Sequence, residues 1–266
     1  MANTLLIVGG GKMGSALLGG LLTSGWVAPG QVVVAETSAA RRDELTGEFP
    51  GVRVVDAPEA TDGLGGAVLA VKPDVAEGVC RVLGAVGVTR VLSIVAGMPC
   101  QRLETALGGQ PSVVRAMPNT PALVRSGVTA ISGGSHATSA DLAWAEEVMG
   151  AVGTVVRLPE RLLDPVTGLS GSGPAYFFLV AEALVESGVQ MGLSREVSRT
   201  LVVQTMLGSA TLLAETGEEP AVLRAMVTSP AGTTAAGIRA LESRAVRSAF
   251  MEAVAAATER SRSLHR

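Results

Sequence analysis

The sequence predicts an α/β protein in two parts: a doubly wound sheet of mostly parallel strands, then an all-helical segment. Three observations carry this. Short apolar runs alternate with helical stretches from Leu5 to about residue 158. A G-x-G-x-x-G run follows the first of them directly. From Leu169 onward no strand pattern recurs, only long stretches rich in Ala, Leu and Val. The change of period places a boundary within residues 160–168, giving a first domain over 1–163 and a second over 164–266.

Composition narrows the function classes. The chain has 266 residues, 47% of them apolar, enough for a sizeable core. Its net charge of -3 and the lack of a basic run argue against nucleic acid as a partner. Cys80 and Cys100 lack metal-ligand spacing, and His136 and His265 lie far apart, so neither a metal site nor a histidine triad is expected. Met1-Ala2-Asn3-Thr4 lacks a basic leader, and no uninterrupted apolar run of membrane-spanning length is evident. A cytoplasmic protein without a membrane partner is the expectation.

Leu5-Leu6-Ile7-Val8 reads as a central parallel strand, apolar on both faces. It runs into Gly9-Gly10-Gly11-Lys12-Met13-Gly14, where Gly9, Gly11 and Gly14 satisfy the dinucleotide spacing. The first glycine allows the tight turn, the second leaves room for pyrophosphate, and the third lets helix and strand pack closely. A helix from Ser15 then turns its N-terminus to the phosphates. This is a Rossmann-type signature.

Gln31–Glu36 is the second strand and ends in an acid about twenty-five residues past the loop, where a carboxylate commonly holds the adenosine ribose. Alone, Glu36 favours NAD(H). Thr37, Ser38, Arg41 and Arg42 follow, and would hold a phosphate if Glu36 turned aside, although Arg42 reads more simply as a solvent-facing helix residue. NADPH and NADH both remain open.

Ala67-Val68-Leu69-Ala70-Val71 is a further buried strand, ending at Lys72-Pro73, where proline suits a first helical turn. Lys12 and Lys72 are the only lysines, and Lys72 at a strand's carboxyl end reads as a site-lining residue rather than a plain surface charge. Cys80 in the next helix reads as core. Val91–Val95 is another strand, followed by Ala96-Gly97 and a helix from about Pro99. Val113–Met117 leads into Pro118-Asn119-Thr120-Pro121, a rigid loop whose Asn119 either contacts the cofactor or closes an Asx-type turn. Residues 127–131 and 152–158 supply the last strands, with a helix over 137–150 between them.

The second part opens with Leu169-Ser170-Gly171-Ser172-Gly173-Pro174-Ala175-Tyr176, a flexible turn with Ser172 as a cap candidate. Tyr176 is the lone tyrosine; packing is the simpler reading, proton donation the sharper one. A long helix runs from an N-cap at Ser194 to Gly217, a short one covers 219–227, and a last one runs from Thr233 to the charged tail Glu259–Arg266. With the helix that Pro174 opens, these make four helices, some apolar on more than one face, which exceed what one small bundle buries and point to a subunit interface. Between the last two lies Ser229-Pro230-Ala231-Gly232-Thr233-Thr234. Pro230 removes a donor and Gly232 supplies backbone freedom. The turn presents N–H groups and hydroxyls at a helix start, a seat for a small carboxylate.

Taken together, Gly9–Gly14, Ala70-Val71-Lys72-Pro73, Arg115–Pro121, Leu169–Tyr176 and Ser229–Thr234 resemble the pyrroline-5-carboxylate reductase family. The Met-Pro-Asn-Thr-Pro, Ser-Gly-Ser-Gly-Pro-Ala-Tyr and Ser-Pro-x-Gly-Thr-Thr segments, in this order, carry the resemblance. It implies a homodimer built through the helical domain, extended in many members to a ring of dimers. It also implies hydride transfer from NADPH or NADH to the C=N carbon of 1-pyrroline-5-carboxylate, a cyclic imino acid, giving L-proline. The substrate carboxylate is then expected on Ser229, Ala231, Gly232, Thr233 and Thr234, with Thr234 bonding the ring nitrogen as the catalytic group. Cofactor contacts are expected from Gly9, Gly11, Lys12, Met13, Gly14, Glu36, Ala70, Val71, Lys72, Pro73, Ala96, Gly97 and Asn119.

Three residues depart from the family pattern. Lys12 stands where an asparagine is usual, Ala231 replaces a glycine, and Glu36 is an acid where NADPH-preferring members offer a phosphate-binding residue. Another cyclic imine as substrate, or a non-catalytic dinucleotide-binding protein, are the alternatives. A β-hydroxyacid dehydrogenase is disfavoured because no lysine follows Lys72.

Overall fold

The computed structural model describes residues 4–61 and 63–264; His265, read above as part of the tail, lies outside them. The chain divides into two compact units, Met1–Ser172 with Ala256–Arg266, and Gly173–Ala255.

The first unit is built on an eight-stranded sheet. Its strands are β1 (Thr4–Val8), β2 (Val32–Ala35), β3 (Arg53–Val55), β4 (Leu64–Leu69), β5 (Arg90–Ser93), β6 (Ser112–Met117), β7 (Gly127–Gly133) and β8 (Gly153–Arg157). They lie in the order β3-β2-β1-β4-β5-β6-β7-β8. All neighbours are parallel except β6 and β7. Helices α1 (Lys12–Thr23), α2 (Ala39–Glu48), α3 (Pro73–Ala85), α4 (Cys100–Ala106) and α5 (Ser139–Gly150) connect them.

Period-two alternation explains why the strands read as unbroken apolar runs. Leu5, Ile7, Val32, Val34, Val68 and Leu92 belong to one buried cluster, with Leu17, Leu18 and Leu21 of α1. Leu6, Val8, Val33, Ala35, Leu69 and Val91 belong to the other, with Cys80 and Leu83 of α3. Both sheet faces are therefore covered, and each fully buried leucine contributes about 1.5–3 kcal/mol. Cys80 is a core residue, as expected.

Several boundaries differ from the sequence reading. The strand expected over 67–71 occupies Leu64–Leu69, and that over 91–95 occupies Arg90–Ser93. The edge strand β3 was not foreseen; three residues with an exposed arginine give too little alternation. α1 starts at Lys12 rather than Ser15, because Gly11 already serves as its N-cap.

After β8 come a 3-10 turn (Glu160–Leu162), the short α6 (Leu163–Val166) and a π-helical turn (Thr167–Gly171). Helix continues through the second unit as α7 (Gly173–Gln190). There follow α8 (Arg195–Thr216), α9 (Pro220–Met226), α10 (Thr233–Glu242) and α11 (Val246–Ser263), whose last turns belong to the first unit. The single final helix read from the sequence is thus two, broken where Ala245 adopts a φ of 54°. Ser194 caps α8 by accepting from the Val197 N–H at 3.2 Å, and Gly217 ends it at φ 63°.

The helices of the second unit bury little. Phe177 is 64% exposed, Phe178 68%, Leu207 59% and Met251 72%. The helical run Glu160–Gln190 is also long and apolar enough, by length and composition, to cross a membrane. Its apolar residues are interrupted in sequence, as the lack of an uninterrupted apolar run implied, and Ser172 is a bend between the π turn and α7.

Candidate active site: a dinucleotide cradle and a carboxylate seat

β1 and β4 lie side by side, while the chain leaves β1 for β2 on the opposite side. That reversal opens a crevice at the carboxyl ends of the strands, where open α/β sheets bind ligands. Gly9 and Ala70 meet there. The Gly9 N–H donates to the Ala35 carbonyl and the Ala70 N–H to the Val8 carbonyl, both at 2.8 Å. Gly9 has φ 104°, and a Cβ on it would stand 2.4 Å from the Ala70 carbonyl oxygen. A Cβ on Gly14 would stand 2.1 Å from the Gly9 oxygen. Gly11 differs: a Cβ there would meet nothing within 4 Å, so its surface faces open space.

The start of α1 meets the requirements of an anion seat. The Ser15 N–H bonds back to the Gly11 carbonyl at 2.9 Å, leaving the N–H groups of Lys12, Met13 and Gly14 without helical acceptors. The first turn holds no acid, and Lys12 places a cation where the helix dipole is already positive, adverse by roughly 0.3–1 kcal/mol. A seated phosphate reverses that sign. These residues fit the pyrophosphate of a dinucleotide.

The rim contains a polar network that sequence alone did not resolve. The Gly10 and Ser38 N–H groups each donate to the Glu36 carboxylate at 2.9 Å. Arg41 does not face solvent: its Nε donates to the Gly10 carbonyl at 2.8 Å and Nη2 to Ser15 Oγ at 2.6 Å. Nor does Arg42, which donates to the Glu36 and Thr37 carbonyls at 3.0 and 2.8 Å. It closes the end of β2, correcting its reading as a solvent-facing helix residue.

The remaining expected cofactor residues are more varied. Ala70 and Val71 are half-buried beyond β4, and Lys72 is the exposed N-cap of α3 ahead of Pro73. Ala96 is exposed. Gly97 is buried at φ 69°, with its α-carbon side against Leu264, so its part is the turn itself. Asn119 accepts from the Val128 N–H at 2.9 Å and donates to the Ser170 carbonyl at 3.1 Å. Its amide pins the Pro118–Pro121 loop to β7 and to the π turn, contacts distant in sequence rather than an Asx-type turn.

A charged junction beside this face escaped the sequence reading. Arg115 on β6 is 5% exposed and pairs with Glu160 at 3.2 Å. The same carboxylate oxygen accepts from the Cys100 N–H at 2.7 Å. Burial, then Glu160, pushes the Cys100 thiol up; burial, then Glu77, raises that of Cys80 to about 11. Neither thiol is a ready nucleophile. A charged residue in an apolar strand was the available signal for Arg115.

In the second unit, the Ser229–Thr234 segment forms a hydrogen-bonded turn, with the Gly232 N–H donating to the Ser229 carbonyl at 3.1 Å. Gly232 is the N-cap of α10 with φ −75°, an ordinary value. The left-handed residue is Ala231, at φ 59°. The assignment of backbone freedom to Gly232 is therefore corrected. Gly232 is small because a Cβ would stand 2.4 Å from Ser229 Oγ. The Ala236 N–H bonds the Gly232 carbonyl at 3.2 Å, which leaves the N–H groups of Thr233, Thr234 and Ala235 open. Among the described residues the hydroxyls of Ser229, Thr233 and Thr234 also lack hydrogen-bond partners. Tyr176, half-buried in the first turns of α7, is apart in sequence from this seat.

A doubly wound sheet with a glycine loop at its switch point, followed by a helical unit, defines a dinucleotide-binding protein of the Rossmann class. The profile described as "NADP oxidoreductase coenzyme F420-dependent" matches residues 4–97, and that described as "Pyrroline-5-carboxylate reductase dimerisation" matches residues 160–264. A pyrroline-5-carboxylate reductase of Synechocystis sp. is 45% identical over 266 residues, 99% of either chain. The solved structure of the Coxiella burnetii pyrroline-5-carboxylate reductase has a TM-score of 0.92 at 35% identity, over 100% of both chains. That of Plasmodium falciparum pyrroline carboxylate reductase, with NADP bound, has a TM-score of 0.88 at 30% identity, also over 100% of both. The chain belongs to the pyrroline-5-carboxylate reductase family.

Proposed function

We propose that this protein reduces 1-pyrroline-5-carboxylate to L-proline with a hydride from NADPH or NADH, the last step of proline biosynthesis. The observation that carries the reading is the Ser229–Thr234 turn. Three open N–H groups and three unpartnered hydroxyls converge in sequence on one helix start, the donor set a small carboxylate needs. The family match names the substrate that carries this carboxylate.

A bound nicotinamide supplies the hydride. The chain's residues supply placement. Gly9, Gly11 and Gly14, with the N–H groups of Lys12 and Met13, hold the pyrophosphate. Ala70–Pro73 and Ala96–Gly97 line the loops above β4 and β5. Asn119 fixes the Pro118–Pro121 loop and has one amide hydrogen left to offer. Ser229, Ala231, Gly232, Thr233 and Thr234 anchor the carboxylate, and the Thr234 hydroxyl bonds the ring nitrogen. An imine that arrives protonated needs no side-chain proton donor, which suits a seat without histidine or carboxylate.

Division of labour follows the two segments, with 1–163 binding the dinucleotide and 164–266 dimerising and binding substrate. The exposed apolar residues of α7, α8 and α11 support a homodimer through the helical segment, and a ring of dimers extends it. We place the protein in the cytoplasm, consistent with two buried free thiols, and assign it neither a membrane nor a nucleic-acid partner.

The test is NADPH or NADH oxidation that depends on 1-pyrroline-5-carboxylate and yields proline, compared between the native protein and Thr234→Ala. A hydrogen bond to a charged group is worth about 1.5–3 kcal/mol, so the variant is expected to lose roughly ten- to a hundredfold in kcat/KM. Dinucleotide affinity and fold should be unchanged. Equal turnover by the two proteins refutes the role of Thr234, and no turnover by the native protein refutes the activity.

A further inference from the structure

We infer that Glu36, fixed by two backbone N–H groups, makes this protein select NAD(H) over NADP(H), by accepting the two ribose hydroxyls and setting a negative charge where a 2′-phosphate would lie. The inference rests on the proposed reductase reading and deepens it at the adenosine end of the same site.

An acid at the end of the second strand of such a sheet accepts from the adenosine ribose, and basic groups nearby are what accommodate a 2′-phosphate. A carboxylate offers about four lone-pair directions. Two in Glu36 are taken, by the Gly10 and Ser38 N–H groups at 2.9 Å, one on each oxygen. One direction on each oxygen remains, matching two vicinal hydroxyl donors; Thr37 Oγ1, at 3.5 Å, is a weak competitor. The two backbone bonds also fix the carboxylate at the glycine loop, so it does not swing aside without leaving both N–H groups unpaired. A phosphate monoester offers acceptors and a like charge at that place.

The arginines that would compensate are engaged elsewhere. Arg41 spends Nε on the Gly10 carbonyl, Nη2 on Ser15 Oγ and Nη1 on Glu44 at 2.7 Å, with Glu48 at 3.9 Å. Its charge is thus shared with two acids of α2. Arg42 is bonded to the Glu36 and Thr37 carbonyls. Lys12 is the first residue of α1, at the pyrophosphate end. The arrangement therefore presents the 2′ position with a fixed carboxylate acceptor, with Arg41 paired to acids of α2 and Arg42 Nη1 tied to backbone carbonyls. This separates the chain from its Plasmodium falciparum relative, whose structure holds NADP.

The experiment is equilibrium titration of the full chain with NAD+ and with NADP+, followed calorimetrically, beside steady-state kcat/KM for NADH and NADPH. The native protein is expected to bind NAD+ about a hundredfold more tightly than NADP+, the scale of one mispaired charge in a partly screened site. Glu36→Gln should bring the ratio within about tenfold, mainly through tighter NADP+ binding, because one accepting direction is lost and the like charge removed. Glu36→Ser, which also removes the carboxylate, should shift the ratio in the same direction. Native protein that binds NADP+ as well as NAD+, or variants that keep the native ratio, overturn the inference while leaving the reductase reading intact. Binding of neither dinucleotide overturns that reading and the inference together.

Discussion

Replacing Ala231 with glycine tests whether the carboxylate seat is held under backbone strain. Ala231 sits at φ 59°, between a proline whose ring fixes φ and a glycine N-cap. An L-residue in the left-handed region costs roughly 1–2 kcal/mol. Glycine removes that cost but returns about 0.4–1 kcal/mol of unfolded-chain freedom. The difference predicts that Ala231→Gly stabilises the protein by about 0.5–1 kcal/mol. Ala245, at φ 54° between α10 and α11, provides an internal control with the same conformation away from the seat. Ala245→Gly should give the same gain. The two variants should differ in catalysis: only Ala231→Gly loosens the seat, raising KM for 1-pyrroline-5-carboxylate about threefold while leaving kcat within twofold. The assay is urea denaturation at matched chain concentration, since association contributes to stability, together with steady-state kinetics. A destabilised Ala231→Gly beside a stabilised Ala245→Gly would show that the methyl group makes a favourable contact, and the strain argument would fail.

Two further perturbations test the frame around the sites. Gly14→Ala places a methyl group 2.1 Å from the Gly9 carbonyl oxygen, a backbone atom that cannot rotate away. It should cost about 1–3 kcal/mol and abolish measurable NAD+ binding by calorimetry; retained affinity contradicts the close packing of loop and helix. Glu160→Gln keeps an acceptor for the Cys100 N–H but leaves the buried Arg115 without its counter-charge. Discounted for the partial exposure of Glu160, the loss should be roughly 1–3 kcal/mol in urea denaturation, and no loss would show the pair to be immaterial.

Much of the first unit was legible because its strands are short apolar runs and its loop glycines each have one steric task. Leu5–Val8 followed by Gly9–Gly14 fixed the first strand, the turn and the switch point together. What remained hidden was of a different kind. The commitment of Arg41 to the Gly10 carbonyl depends on a contact across 31 positions, to which no local pattern points. The antiparallel β7 looks like any apolar strand, since direction leaves no trace in alternation. At the Ser229–Thr234 seat the residue types identified the turn, but they assigned the unusual φ to Gly232. Only the backbone reveals that Ala231 bears it, and that Gly232 is small to admit Ser229 Oγ. The apolar excess of the last helices was readable as an interface because burial within one chain has a ceiling set by the surface available.

Hydride is expected to pass directly from the nicotinamide to the imine carbon of a carboxylate-anchored substrate. Turnover of 1-pyrroline-5-carboxylate with nicotinamide cofactor deuterated at the transferred C4 position tests it most directly. The proline formed should carry one deuterium, on the ring methylene beside nitrogen, in step with cofactor oxidation. Proline formed without the label at that carbon, or cofactor oxidised without proline, would contradict it.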